Sequence, residues 1–257
     1  MCTIAILIDV VAGAPLVLAA NRDELYARAT RSPELLQAAP RIAGGVDAVS
    51  GGTWLALRSD GHFAAVTNQR VLATPPPGLR SRGLVVRELA ASSDPDAYVA
   101  AIDPTRYASM NLVWTGARGV TVAYSRREQA SLVIEPLERG VHVLCNDRLG
   151  APGFPRGERL AEAIATALDA AIGWPALAPR LAMLLADHAQ VAPPPDPALP
   201  VELARQLTAA CIHSEHYGTR SSSIVAIAPG RVIDYLHADG PPCTAPFLDR
   251  RALVEEA

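Results

Sequence analysis

Apolar positions early in the chain fall in short blocks without helical spacing. Residues 2–9 and 16–21 are apolar on both faces and are parted by Gly13 and Pro15, which predicts a hairpin whose strands are covered on both sides. Residues 54–58 and 62–67 flank Ser59-Asp60-Gly61 and predict a second hairpin. Residues 111–115, 120–124, 131–135 and 141–145 read as further strands with short turns. Residues 222–228 and 231–236 form a last hairpin around Pro229-Gly230. Helical spacing appears between these blocks. Residues 81–92 carry Leu84, Val85 and Leu89 on one face, and residues 155–172 carry Leu160, Ile164 and Leu168, with Gly173 as the stop. Two more helices are expected at 179–188 and 201–212, and Pro-rich connectors at 74–78 and 192–200. Antiparallel hairpins interrupted by helices predict an α+β protein, with no composition shift to divide residues 1–257 into domains.

Composition narrows the function. Half of the 257 residues are hydrophobic, and the net charge of −3 gives no basic footprint for nucleic acid. All 23 basic residues are Arg, which together with abundant Ala, Gly and Pro reads as the codon bias of a GC-rich, bacterial genome. Cys2, Cys145, Cys211 and Cys243 form no CxxC pair, and such sparse usage suits a reducing cytoplasm. The apolar start is broken by Asp9 and Gly13-Ala14-Pro15 and lacks a basic leader, so neither a signal peptide nor a membrane span is expected.

The chemistry begins at Cys2. Met1 is removed from chains whose second side chain is small, which would leave a thiol and an α-amine on one residue. The thiolate is a strong nucleophile, and an α-amine titrating at about 7.7–8.0 can take up its proton. The plain alternative is a small hydrophobe in a strand. Polar clusters then sit where strands stop: Asn21-Arg22-Asp23-Glu24, Gly51-Gly52-Thr53-Trp54, Thr67-Asn68, Asn146-Asp147, and Tyr217-Gly218-Thr219-Arg220-Ser221. Taken singly, each is explained by turn chemistry and capping.

Taken together, with Met1-Cys2-Thr3 at the start, these landmarks span nearly the whole chain. The sequence resembles the NRDE family, named for the Asn-Arg-Asp-Glu motif, which includes the eukaryotic transport-and-Golgi-organisation proteins. The resemblance implies a four-layer αββα sandwich of the N-terminal-nucleophile hydrolase type, two antiparallel sheets covered by helices. More distantly the chain is similar to choloylglycine hydrolases and penicillin V acylases. That similarity implies amide hydrolysis with Cys2, Asp23, Asn68, Asn146 and Arg220 as catalytic candidates. Asn21, Arg22, Trp54, Tyr217 and Thr219 are the binding candidates. Ungapped alignment through Asp23 puts Ala20 where those enzymes carry an Arg. Strand alternation sets Arg22 on the face opposite Asn21 and Asp23, which leaves its approach to Cys2 unsupported.

The family resemblance also implies a competing, non-catalytic role in haem or acyl-ligand handling. Cys2, His142, Cys211, His213 and His216 are then the possible axial groups, although no CxxCH motif is present. The spacing Cys211-x-His213-x-x-His216 admits zinc, but a structural site needs four ligands and no second pair is near in sequence, so no metal ligands are assigned. The expected protein needs no cofactor, takes a small amide or acyl substrate or haem, and resides in the cytoplasm.

Overall fold

A computed structural model describes residues 2–70, 76–196 and 199–255. The expected connectors fall partly outside these residues, and Met1 lies wholly outside. The chain divides into two compact units, Met1–Ala27 with Arg139–Ala228 and Ile233–Arg251, and Arg28–Glu138 with Pro229–Val232 and Ala252–Ala257.

The first unit holds a six-stranded sheet built from β1 (Cys2–Ile8), β2 (Leu16–Leu25), β10 (Gly140–Leu144), β11 (Tyr217–Ala228), β12 (Arg231–Ala238) and β13 (Phe247–Asp249). The strand order is β10-β1-β2-β11-β12-β13. Alternate residues Ala5 and Leu7, Val17 and Ala19, and Ile224 and Ala226 form one face. They pack on α3 (Pro155–Ala170) through Leu160, Ile164 and Ala167, and on α4 (Trp174–Leu185) through Trp174, Leu177, Leu181 and Leu185. Ile4, Ile6, Leu18 and Val225, on the other face, are buried as well, so these strands are covered on both sides as their composition predicts.

The second unit is a seven-stranded antiparallel meander in chain order, β3 (Thr30–Gln37), β4 (Ile42–Asp47), β5 (Leu55–Arg58), β6 (Phe63–Asn68), β7 (Met110–Gly116), β8 (Gly119–Arg126) and β9 (Ser131–Pro136). Ile42, Ala56, Ala64, Val66, Leu112 and Trp114 form its core with Val85, Val86 and Leu89 of α1 (Arg82–Ala91) and Val99 of α2 (Pro95–Ala100). The Gly51-Gly52-Thr53-Trp54 motif is structural here. A Cβ on Gly52 would lie 2.4 Å from the backbone of Gly83, and Thr53 N–H donates to the Gly83 carbonyl at 3.0 Å.

Several elements depart from expectation. β3 and β4 have no clean alternation; β3 is an edge strand carrying Pro33, and its register shifts on either side of Glu34 and Leu35. α4 begins at Trp174 rather than at Pro179, which lies inside the helix. The apolar stripe from Trp174 to Leu185 outweighs the one backbone bond that Pro179 removes. Gly173 takes φ +77° just before α4 and does not end α3, whose C-cap is Ala171. The helix expected at 201–212 stops at Gln206, since Cys211 N–H donates to Asp187 and the Ile212 carbonyl accepts from Thr219. Among the described residues, no helix is long and apolar enough to cross a membrane.

Two outcomes follow. Gly52→Ala forces two backbones apart and should cost about 1–3 kcal/mol in a urea titration, with the sheet spectrum retained. Separately, burial pushes the His237 imidazole, whose Nδ1 lies 2.9 Å from Ser223 Oγ, down to about 4. The unfolded chain then binds the extra proton first. Stability should fall as pH drops from about 6.5 to about 4, by about 3 kcal/mol in all. Urea midpoints at pH 7.5 and 4.5 check this, and His237→Gln should flatten the difference.

Candidate active site

The register of β1 against β2 decides what Cys2 meets. Cys2 stands directly opposite Arg22, and Thr3 opposite Asn21. Cross-strand partners share a face, so Arg22 projects to the side of Cys2. The expected alternation of Asn21, Arg22 and Asp23 holds, and the register answers what the sequence left open: Arg22 shares the face of Cys2. Ser221 pairs with Arg22 from β11 and extends the row across three strands. Arg22 is 5% exposed and Ser221 is 3% exposed. Among the described residues, the Ser221 hydroxyl has no hydrogen-bond partner.

Burial pushes the Cys2 thiol up, and the Asp23 carboxylate adds to this. The Arg22 guanidinium and the Asp23 backbone N–H work in the opposite direction by favouring the thiolate. Burial and then the charges of Asp23 and Cys2 also push the Tyr217 phenol well up.

Asp23 is held by residues from two elements, α3 and β11. Arg156 Nη1 donates to Oδ2 at 3.0 Å, and Thr219 Oγ1 donates to Oδ1 at 2.7 Å. The second arm of Arg156 donates to Asn146 Oδ1 at 2.8 Å. Both side chains of the Arg156–Asp23 pair are buried. Burial raises the Asp23 carboxyl, while the Arg156 charge and the donor on each oxygen pull it back. Burial acts to lower the Arg156 guanidinium, and the Asp23 charge more than offsets it.

Sequence reading missed Arg156. Its position carried a signal, since Arg156, Leu160, Ile164 and Ala167 share the buried stripe of α3, where a charge needs a partner. Pro155 sets the first turn, and Gly157 lets the helix approach Cys145, whose Sγ would lie 2.9 Å from an added Cβ.

The other expected residues take distinct places. Asn21 is a structural tie: its amide donates to the carbonyls of Leu185 and Ala210, both at 2.8 Å, and its oxygen accepts from Ser222 at 2.7 Å. Thr219 relays this frame, accepting from Ile212 N–H at 2.9 Å while it donates to Asp23. Gly218 allows the approach of Tyr26, whose hydroxyl would meet a Cβ at 2.2 Å. Arg220 is the extra residue of the β-bulge between Thr219 and Ser221, and its guanidinium donates to the Tyr26 carbonyl. Asn68 and Trp54 belong to the second unit. Asn68 ends β6 opposite Met110, and the Trp54 ring covers Gly45, where a Cβ would meet it at 2.2 Å.

The expected axial and metal groups also separate. His142 pairs with Ile6, four residues along β1 from Cys2, or about 13 Å. His216 sits beside Glu215 with its side chain 81% exposed. Cys211 and His213 meet His188 and Cys243 instead.

The model of the family described as Transport and Golgi organisation 2 matches residues 1–237. The Transport and Golgi organization protein 2 homolog of Bos taurus is 29% identical over 251 residues, 84% of each chain. Its Homo sapiens counterpart is 28% identical over 243 residues, again 84% of each. These relatives are animal proteins and lend no support to a bacterial source. Among solved structures, a mutant conjugated bile acid hydrolase from Clostridium perfringens aligns with TM-score 0.53 at 11% identity, covering 100% of this chain and 95% of the other. A second variant of that hydrolase gives 0.52 at 12% identity, covering 97% of each chain. Likeness at such identity is one of fold, and it agrees with two antiparallel sheets each carrying helices. Matched across nearly its full length and bearing Asn21-Arg22-Asp23-Glu24 at the end of β2, the chain belongs to the Transport and Golgi organisation 2, or NRDE, family, on an N-terminal-nucleophile-hydrolase-like fold.

Proposed function

We propose that this protein is an N-terminal cysteine amidohydrolase acting on a small amide or acyl substrate, with Cys2 as nucleophile after removal of Met1. The observation that carries the proposal is the row Cys2–Arg22–Ser221 across three adjacent strands, with the Asp23 N–H at the sulfur. A cation and a backbone donor beside a thiol are what a nucleophilic sulfur requires. A buried hydroxyl on the same row is a ready partner for a substrate oxygen or nitrogen.

In this mechanism the α-amine of processed Cys2 takes the thiol proton as sulfur attacks the acyl carbonyl. The oxyanion is stabilised by nearby donors, among them the Asn146 amide assigned by resemblance. One such donor is typically worth about 2.7–4 kcal/mol. The C–N bond breaks, the leaving amine takes the proton back, and a Cys2 thioester remains. Water cleaves it, releasing the acid and restoring the thiol. Arg156 and Thr219 are positioning residues here, since they act through Asp23. The raised Cys2 thiol weakens the nucleophile, and the reading left if Cys2 is inert is a carrier that holds haem or an acyl ligand without turnover.

Intact mass after treatment with p-nitrophenyl butyrate separates the two. The enzyme should lack Met1, gain one butyryl group on Cys2 in a burst, and release it over time; Cys2→Ala should show neither step. Retained Met1, or p-nitrophenol release equal in Cys2→Ala, would sink the proposal and leave the carrier. Arg22→Gln should slow iodoacetamide alkylation of Cys2 several-fold at pH 7 and move its pH midpoint upward, since the cation that favours the thiolate is gone.

A further inference from the structure

Two cysteines and two histidines converge in the first unit, none of them part of the row Cys2–Arg22–Ser221. His188, Cys211, His213 and Cys243 each offer one ligand atom, and these atoms all lie within 4.8 Å of one another. Cys211 Sγ is 3.8 Å from Cys243 Sγ and 3.6 Å from His213 Nε2, and His213 Nε2 is 3.3 Å from Cys243 Sγ. Tetrahedral zinc takes sulfur at about 2.3 Å and nitrogen at about 2.0–2.1 Å, so its ligand edges measure about 3.8 Å for S–S and about 3.5–3.6 Å for S–N. The His188 nitrogen lies within 4.8 Å of the other three ligand atoms, and the three spacings among Cys211, His213 and Cys243 match those edges to within about 0.3 Å. They are far too long for a disulfide, whose sulfurs sit about 2.05 Å apart.

We propose that His188, Cys211, His213 and Cys243 form a Cys2His2 site for a zinc-class divalent cation. Four protein ligands close the coordination shell, which makes the site structural rather than catalytic. His188 is pre-oriented for ligation. Its Nδ1 lies 3.1 Å from the Cys211 carbonyl, and donating there leaves the Nε2 lone pair for the metal. The His188 and His213 rings are tilted by 48° with centroids 4.9 Å apart, and both residues are exposed, which gives the ion a path in.

Binding converts both thiols to thiolates, so one divalent ion enters and two protons leave.

The site would tie three separate loops: the exit from α4, the entry to β11, and the turn between β12 and β13. It also stiffens the frame behind Asp23. Ala210 accepts from Asn21, Cys211 donates to Asp187, and Ile212 donates to Thr219, which holds Asp23.

The test uses full-length, tag-free protein, reduced and freed of metal with a chelator, titrated with Co2+ and then Zn2+. One equivalent of Co2+ should produce the thiolate charge-transfer band and the strong visible d–d bands of a tetrahedral site, and Zn2+ should erase both. Cys243→Ser and His188→Gln lie in loops and should weaken Co2+ by roughly 100-fold or more. Cys2→Ser and His216→Ala should bind like the wild type. Absence of stoichiometric binding by reduced, folded protein would overturn the site, and so would binding that Cys243→Ser and His188→Gln both leave unchanged.

Discussion

The buried pair of Arg156 and Asp23 is the constraint around which the first unit is arranged. Each ion pays a desolvation cost of several kcal/mol, recovered only when the geometry is good and the remaining polar atoms are bonded. That condition is met through specific partners: one carboxylate oxygen takes Arg156, the other takes Thr219, and the second guanidinium arm takes Asn146. Deleting one ion would strand the other and cost about 3–5 kcal/mol. The end of β2, the first turn of α3, the segment after β10 and the start of β11 are therefore fixed relative to each other by a single network.

What the network leaves exposed to chemistry is set by register. A strand has period two, so a shift of one residue between β1 and β2 would exchange Arg22 for Asn21 or Asp23 opposite Cys2. The observed pairing puts the guanidinium on the row of Cys2 while Asp23 contributes its backbone N–H. The bulge at Arg220 serves the same end. By adding one residue to β11, it lets Thr219 pair with Asp23 and Ser221 with Arg22, and it turns the Arg220 side chain outward to Tyr26. The late arginine of the sequence motif thus shapes the strand, and Arg156 supplies the buried charge.

The segment from Ala210 to Thr219 links this site to the cysteine–histidine cluster. It alternates between groups that face the cluster, Cys211 and His213, and groups that hold the frame of Asp23, the Ala210 carbonyl and Ile212 N–H. Helical propensity over 201–212 lost to these longer-range bonds, which is why α5 stops at Gln206.

The sequence by itself determined the strands with strong apolar runs, the α+β class, both faces of β1 and β2 being covered, and the polar landmarks that mark the family. These depend on local periodicity and on motif order, both of which are linear in the chain. It did not determine β3, where Pro33 and a bulge erase alternation, nor the start of α4, where packing of Trp174 overrides a proline. Only the tertiary structure decided that Arg22 faces Cys2, that Arg156 clamps Asp23, and that His188 and Cys243 join Cys211 and His213. Each of these joins residues far apart in the chain, by 133 positions for Arg156 and Asp23 and by 32 for Cys211 and Cys243. Pairing register and loop convergence are properties of how strands and loops meet in space, and no local pattern along the chain encodes them.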